Sequence, residues 1–190
     1  MRAFIAIELP ENTKNLLSRL QQELKNSNAD VKWVNPENIH LTLKFIGEID
    51  ENQRGQINTR LQSIAASHKS YWAKISSLGA FPKISSPRVI WAGLAEGDLQ
   101  TKELAAAIEE SLIQIGIAKE ERNFSSHITL GRSRSGLNSY RLAEKITEQS
   151  GKLENPGLEF PVERITLFKS RLSPGGPLYE KLQEVSLKTA

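Results

Sequence analysis

The stretch Asn38–Glu48, NIHLTLKFIGE, decides how this chain is read. It has the apolar density of a strand and stops at Gly47, yet it opens on a histidine. Strand side chains alternate between faces, so His40 and Thr42 point one way and Leu41, Leu43 and Phe45 the other. By the same parity Lys44 joins the polar face and Phe45 joins the core. A second stretch, SSHITLGRS at Ser125–Ser133, repeats the pattern: His127 and Thr129 share a face, opposed by Ile128 and Leu130. The chain has three histidines, and two of them stand in His-x-Thr-Leu. A single His-x-Thr in a strand is ordinary, because a core histidine bonded to a carbonyl is common. Two copies imply a paired site. His68, in ASHKS, lacks the pattern and reads as an exposed residue at a helix end.

Imidazole titrates near neutrality, so two of them facing one cleft can act as acid and base. Each threonine hydroxyl lies one pleat away, roughly 7 Å along the strand. Two hydroxyls between two imidazoles suit an oxyanion, and a phosphate fits that description.

The rest of the chain alternates strands and helices. FIAIEL, closed by Pro10, reads as a strand covered on both faces. A helix follows, capped by Asn12 or Thr13, with Leu16, Leu17, Leu20 and Leu24 as its apolar stripe and Arg19, Gln21 and Gln22 between them. VKWV is a short extended piece. A second helix is expected over 51–67 on Ile57, Leu61 and Ile64. YWAKISSLGAF and RVIWAGL read as two strands around the loop PKISSP. A third helix starts at Asp98 or Thr101 and buries Leu104, Ala105, Ile108 and Leu112. NSYRLAEKITEQS is a helix, VERITLFKSRL a strand, and PGGP punctuates before a last strand, LYEKLQEVSL. No linker or low-complexity tract divides the chain. The halves share no convincing identity outside the tetrapeptide, so an internal duplication rests on pattern alone.

The bulk properties narrow the class. With 190 residues, 38% hydrophobic and 25% charged, the chain is an ordinary globular protein. A net charge of +3 and a pI near 9.1 permit an anionic partner without demanding one. There is no cysteine, which excludes disulfides, thiolate catalysis and cysteine-held metal centres. No apolar run approaches the roughly 20 residues of a bilayer span, and the N-terminus reads as a strand rather than a signal peptide. The expected location is the cytoplasm. His-Glu-x-x-His, Walker, dinucleotide and Gly-x-Ser-x-Gly signatures are all missing.

Paired His-x-Thr-x motifs in a chain of this size resemble the 2H phosphoesterase superfamily. The lead-in WVNPENIHLTLKFIGE is similar to its RNA 2′,3′-cyclic phosphodiesterase branch, also called 2′-5′ RNA ligase-like or LigT-like. MRAFIAIELP resembles that branch's opening strand, GAFPKISSPRVIWAGL its middle hairpin, and ERITLFKSRLSPGGPLYEKL its last strands. One departure stands at Ser126, where the family often has proline. It would matter only if the strand shifted register and turned His127 away.

The resemblance implies a bilobal α+β fold. Two antiparallel sheets with helices on their outer faces would form one domain, 1–190, of two pseudo-symmetric lobes around a central groove. It implies metal-independent hydrolysis of RNA 2′,3′-cyclic phosphate ends to 2′-phosphates, with 2′-5′ ligation as the reverse reaction and tRNA processing as a setting. It assigns His40 as proton donor and His127 as proton acceptor, with Thr42 and Thr129 on the phosphate. It also places an arginine at Arg132 near the phosphate, and lets Phe45 lie near the terminal base, where a ring can stack. Strict alternation instead puts Arg134 with His127, unless a bulge at Gly131 re-aims Arg132. The expected partner is RNA ending in a 2′,3′-cyclic phosphate. No cofactor, no metal and no membrane is expected, and monomer is the default. Trp33, Trp72 and Trp91 read as packing residues. Two other readings use the same groove: a phosphodiesterase for a small cyclic nucleotide, and a non-catalytic RNA-end or nucleotide-binding module. An acid–base pair favours turnover over mere binding.

Overall fold

The computed structural model describes residues 1–153 and 156–189. Among the described residues, four α-helices are interspersed among nine strands. β1 (Arg2–Glu8) leads into α1 (Glu11–Lys25), β2 (Val31–Trp33) and β3 (His40–Glu48). α2 (Glu51–Ser67) precedes the long hairpin of β4 (Tyr71–Lys83) and β5 (Ser86–Leu94). Then come α3 (Asp98–Ile113), β6 (His127–Ser133) and α4 (Ser139–Ser150). β7 (Glu159–Val162), β8 (Arg164–Ser173) and β9 (Gly176–Ser186) close the chain.

The strands follow one path, β7-β4-β5-β6-β3-β1-β8-β9, with β2 beside β6. Every strand pair on it is antiparallel. The two sheets implied by the resemblance meet at one registered pair, Leu41 opposite Ile128. Past it β3 leaves β6, and β2 takes over that edge from Gly131 to Ser133. One half of the sheet is therefore β9-β8-β1-β3 and the other β6-β5-β4-β7. α2 packs on β8 and β9, and α3 on β3; α4 packs on β4 and β5, and α1 on α4. Each half thus carries two helices on one face, and its other face is left to the groove.

The apolar faces fuse into one core. Ile5, Ile7, Leu41, Leu43, Ile128 and Leu130 all lie within it, facing the helices. Truncating any of them to alanine would cost about 2–5 kcal/mol. Of the expected α1 stripe Leu17 and Leu24 are buried, while Leu16 and Leu20 are partly buried against the core; Ile57, Leu61 and Ile64 of α2 and Leu104, Ala105, Ile108 and Leu112 of α3 are all buried, as expected.

Local details depart from expectation. Neither Asn12 nor Thr13 caps α1, which begins at Glu11 after Pro10 without a side-chain cap. Thr13 is buried and donates to the Gly157 carbonyl instead. The expected loop PKISSP shrinks to a tight turn, because Lys83 still pairs with Ser86. The short β7 had no expectation behind it; its pairing with β4 comes from tertiary contact. His68 sits at the end of α2, half-buried rather than fully exposed, and its Nδ1 lies 2.8 Å from the Ile64 carbonyl oxygen. Trp72 does not pack inside; it is exposed on β4.

Candidate active site

The register of the seam builds the site. Since Leu41 faces Ile128 in antiparallel register, His40 lies opposite Thr129 and Thr42 opposite His127. The two histidines are then diagonal neighbours, a relation that ordinarily separates positions by about 7–8 Å. Two histidines and two threonines make a chequered square on the groove face, with the Leu41–Ile128 pair beneath it. Ser126 causes no slip: His127 stays in register opposite Gly93. The Ser126 hydroxyl is buried without a hydrogen-bond partner among the described residues.

Both rings are held in the same way. His40 Nδ1 lies 2.7 Å from the Asn38 carbonyl, and His127 Nδ1 lies 2.8 Å from the Ser125 carbonyl. A carbonyl only accepts, so each Nδ1 carries the proton and, in the neutral ring, each Nε2 keeps its lone pair. His40 Nε2 is 2.9 Å from the Thr42 hydroxyl, which donates to it when the ring is neutral. His127 Nε2 has no such partner among the described residues.

Their surroundings differ. The His40 ring lies 5.0 Å from Phe4 and meets Tyr179 edge-on at 5.4 Å. Phe4, Ala6 and Phe168 form a small second core under the groove, with Tyr179 against it. His127 meets one aromatic ring, Phe81, edge-on at 5.2 Å. Phe81 in turn leans on Trp91, whose indole lies across Gly79 and Gly93. A methyl group at either glycine would overlap that indole, so the flat floor of this half requires both.

Burial pushes the His40 imidazole below the ordinary histidine value. The Asn38 carbonyl and the Glu8 charge oppose that shift, and Lys14 adds to it. Burial also lowers His127, with the Arg132 guanidinium helping and the Ser125 carbonyl opposing.

The two motif strands share a bulge. Along β1 the partners of Ala6 and Ile5 are Thr42 and Lys44, so β3 fits one extra residue, Leu43, at that point. Along β5 the partners of Trp91 and Ile90 are Thr129 and Gly131, so β6 fits Leu130 in the equivalent place. Each bulge reverses parity downstream. Lys44 therefore leaves the groove face; it is buried, 2.6 Å from Glu109 and 3.0 Å from the Ala118 carbonyl. Phe45 is not core but 62% exposed, with its ring 6.2 Å from Phe4. By the same reversal Arg132 joins the face of His127, and Arg134 falls beyond the strand, its N–H bonded to the Asp30 carbonyl. Phe45 and Arg132 each stand five residues after their histidine.

One positioning residue escaped the sequence reading. Gln21, buried in α1, donates 2.8 Å hydrogen bonds to the carbonyls of Val34 and Leu130, the second being the bulged residue of β6. Its signal was available: with Leu17 and Leu24 it completes a helical stripe, and a polar residue on such a stripe must be bonded.

Among the described residues, no three histidine, aspartate or glutamate side chains are grouped to hold a metal ion, and no helix is long and apolar enough to cross a membrane.

A family model described as LigT like phosphoesterase matches residues 7–91 and 95–179. The RNA 2′,3′-cyclic phosphodiesterase of Methanocaldococcus jannaschii is 35% identical over 184 residues, which cover 97% of this chain and 99% of the relative. The protein of the same name from Thermotoga maritima is 34% identical over 184 residues, covering 97% and 94%. Among solved structures, TT0787 of Thermus thermophilus aligns with a TM-score of 0.78 at 29% identity over 98% of each chain. E. coli LigT complexed with 3′-AMP shares the fold, with a TM-score of 0.78 at 22% identity over 98% and 97%.

Proposed function

The chain belongs to the LigT like phosphoesterase family, and from that premise we propose that it hydrolyses RNA 2′,3′-cyclic phosphate ends to 2′-phosphates with two histidines as its acid and base. The observation that carries this reading is the matched pair of imidazoles. Both spend Nδ1–H on a backbone carbonyl, and both stand on the groove face with Nε2 left for chemistry.

The division of labour follows from what each Nε2 does at rest. His127 Nε2 is unengaged and serves as the base that takes a proton from the attacking water. His40, in its protonated form, delivers the proton to the departing O3′. A water oxygen–phosphorus bond forms as the phosphorus–O3′ bond breaks, in line, and the phosphate stays on O2′. Charge gathers on the non-bridging oxygens, where Thr42, Thr129 and Arg132 donate hydrogen bonds. Phe45 offers its exposed ring to the terminal base. Thr42 has a second duty, since its hydroxyl rests on His40 Nε2 until a phosphate draws it away.

The reaction requires no metal or cofactor in this scheme. The acting unit is one domain, 1–190, of two pseudo-symmetric lobes, working as a cytoplasmic monomer. Reversal with a 5′-hydroxyl in place of water gives 2′-5′ ligation by the same groups. The test is an RNA ending in a 2′,3′-cyclic phosphate, incubated with the protein in EDTA. A 2′-phosphate product is expected; no turnover, or turnover only with an added divalent ion, defeats the proposal.

A further inference from the structure

β6 gains a new neighbour where β3 leaves it. β2 takes that edge, and its middle residue, Lys32, is registered directly opposite Arg132. Cross-strand partners point to one face, so Lys32 shares the groove face with Arg132 and, across the bulge, with His127 and Thr129. The other two residues of β2 agree with that orientation: Val31 and Trp33 turn the opposite way, close to Gly131, and pack on the main core. Lys32 and Arg132 are both exposed. Neither has an ion pair or a side-chain hydrogen bond among the described residues, and Asp30 and Glu37, the acids on either side of β2, pair with neither. Cations elsewhere along the sheet have acidic neighbours: Lys181 lies 2.7 Å from Glu8, and Arg2 is registered opposite Glu48 at the far end of β3. Like charges directly opposite each other weaken a strand pair. β2 and β6 keep such a pair, with no acid to offset it, beside the candidate active site.

An ammonium and a guanidinium side by side suit an oxyanion, and the guanidinium has donors enough to touch two phosphates at once. Position on the face says which phosphate the pair would meet. The Arg132 row lies one pleat past the Thr129 row, roughly 7 Å along the sheet. A step of that order separates successive phosphates of a nucleic-acid strand. The ribose fixes the direction. From the cyclic phosphate, O2′ leads through C2′ and C1′ to the base, and O3′ leads through C3′ and C4′ to the 5′ oxygen and its phosphate. His40, the proposed donor to O3′, stands opposite Thr129, in the row next to the two cations. Phe45, proposed for the base, lies past Thr42 and His127 at the other end. The two arms of the nucleoside are thus sent to opposite ends of the groove. We propose that Lys32, with Arg132 beside it, takes the phosphate on the 5′ side of the terminal nucleoside, so that this end of the groove selects a polynucleotide over a free cyclic nucleotide. The inference rests on the cyclic phosphodiesterase reading, with His40 acting on O3′.

The experiment uses a diadenosine dinucleotide ending in a 2′,3′-cyclic phosphate, with either a phosphodiester or an uncharged methylphosphonate between its nucleosides. The two compounds differ only in the charge that Lys32 would meet. Their kcat/KM values are compared on wild type, Lys32→Gln, Lys32→Arg and Arg2→Gln. Wild type is expected to favour the phosphodiester. Lys32→Gln should lower that preference about fivefold, the upper worth of an exposed ion pair. Lys32→Arg, which keeps the charge, should preserve it. Arg2→Gln removes the same charge at the far end and should leave the preference as in wild type. A preference that is absent in wild type, that survives Lys32→Gln, or that Arg2→Gln lowers equally, overturns the subsite and leaves the activity standing. Turnover of neither compound by wild type overturns the phosphodiesterase reading itself. Thermal melts complete the test: relief of the like-charge pair means that Lys32→Gln should hold or raise the melting temperature. A clear fall would mean that Lys32 is already bonded within the protein, which overturns the site as well.

Discussion

β3 and β6 carry the same His-x-Thr-Leu pattern and bulge at the same step, yet each is pinned there by different chemistry. In β3 the residue after the bulge is Lys44, buried and ion-paired with Glu109 of α3. In β6 it is Gly131, and the pin comes from outside the strand, through the Gln21 amide of α1 on the Leu130 carbonyl. A methyl at Gly131 would press on Val31 and Trp33, so no side chain there could do what Lys44 does. The halves also end differently: the β3 bulge delivers an aromatic ring, Phe45, and the β6 bulge a cation, Arg132. His40 is enclosed by Phe4 and Tyr179 and capped by Thr42, whereas His127 meets one ring edge and keeps its Nε2 uncovered. A shared backbone device has thus been given two sets of side chains, and in the proposed mechanism that asymmetry is what separates the acid from the base.

The pairing of the two halves is tested most severely at the histidines. His40→Ala and His127→Ala should each lower kcat by about 10²–10⁴-fold, the usual range for a lost general acid or base, with the fold intact by circular dichroism. If either variant stays near wild-type activity, the paired mechanism is wrong. Next in size is the ionic pin. Lys44→Met strands a partly buried Glu109 and should cost about 3 kcal/mol in urea unfolding, whereas a loss under about 1 kcal/mol would mean the pair is dispensable. The amide pin is smaller. Gln21→Leu leaves the Val34 carbonyl without its side-chain donor and removes one of two donors to Leu130, for about 1–3 kcal/mol. Because it loosens β6 alone, it should also raise KM more than Lys44→Met does, through Arg132.

A pH series probes the electrostatic side. Both imidazoles are held below 6.5 by burial, so each loses its proton at a lower pH than a free histidine. Both limbs of the kcat/KM bell therefore move to the acid side, and its maximum should fall below 6.5. A bound phosphate anion favours imidazolium, so the kcat profile should lie to the alkaline side of the kcat/KM profile. A maximum well above pH 7 would show that burial does not govern these rings. The smallest effect is at Ser126. Its buried hydroxyl has no partner, so Ser126→Ala should be neutral or stabilising by up to about 1 kcal/mol, with activity retained.

Much of this was readable from the residues. Leucine and isoleucine spacing set α1, α2 and α3, and the His-x-Thr alternation placed four site residues on one face. What failed was the extension of that alternation past Leu43. A bulge adds one residue to one strand, and no hydrophobic pattern records it until the partner is known. Lys44 and Phe45 consequently exchanged faces relative to expectation, and for Arg132 the residues themselves offered Gly131 as a hint, beside what the family resemblance implied. Gln21 was passed over because a glutamine between leucines reads as a solvated position, although its spacing from Leu17 and Leu24 put it on the buried side.

The crossing of the helices has its own consequence. α1 follows β1 in the chain yet packs with α4 in the other half of the sheet, and α3 follows β5 yet lies on β3. The halves are laced together like two hands with exchanged fingers. A fragment cut at Leu94 would hold β3 without its roof and β5 without its neighbour β6, so neither half can be expressed as a working piece. Nor can one half complete itself on the ribosome before the other has emerged. The wall of the groove that Phe168 and Tyr179 build against Phe4 is in place only when β8 and β9 have paired back onto β1, the first strand of the sheet.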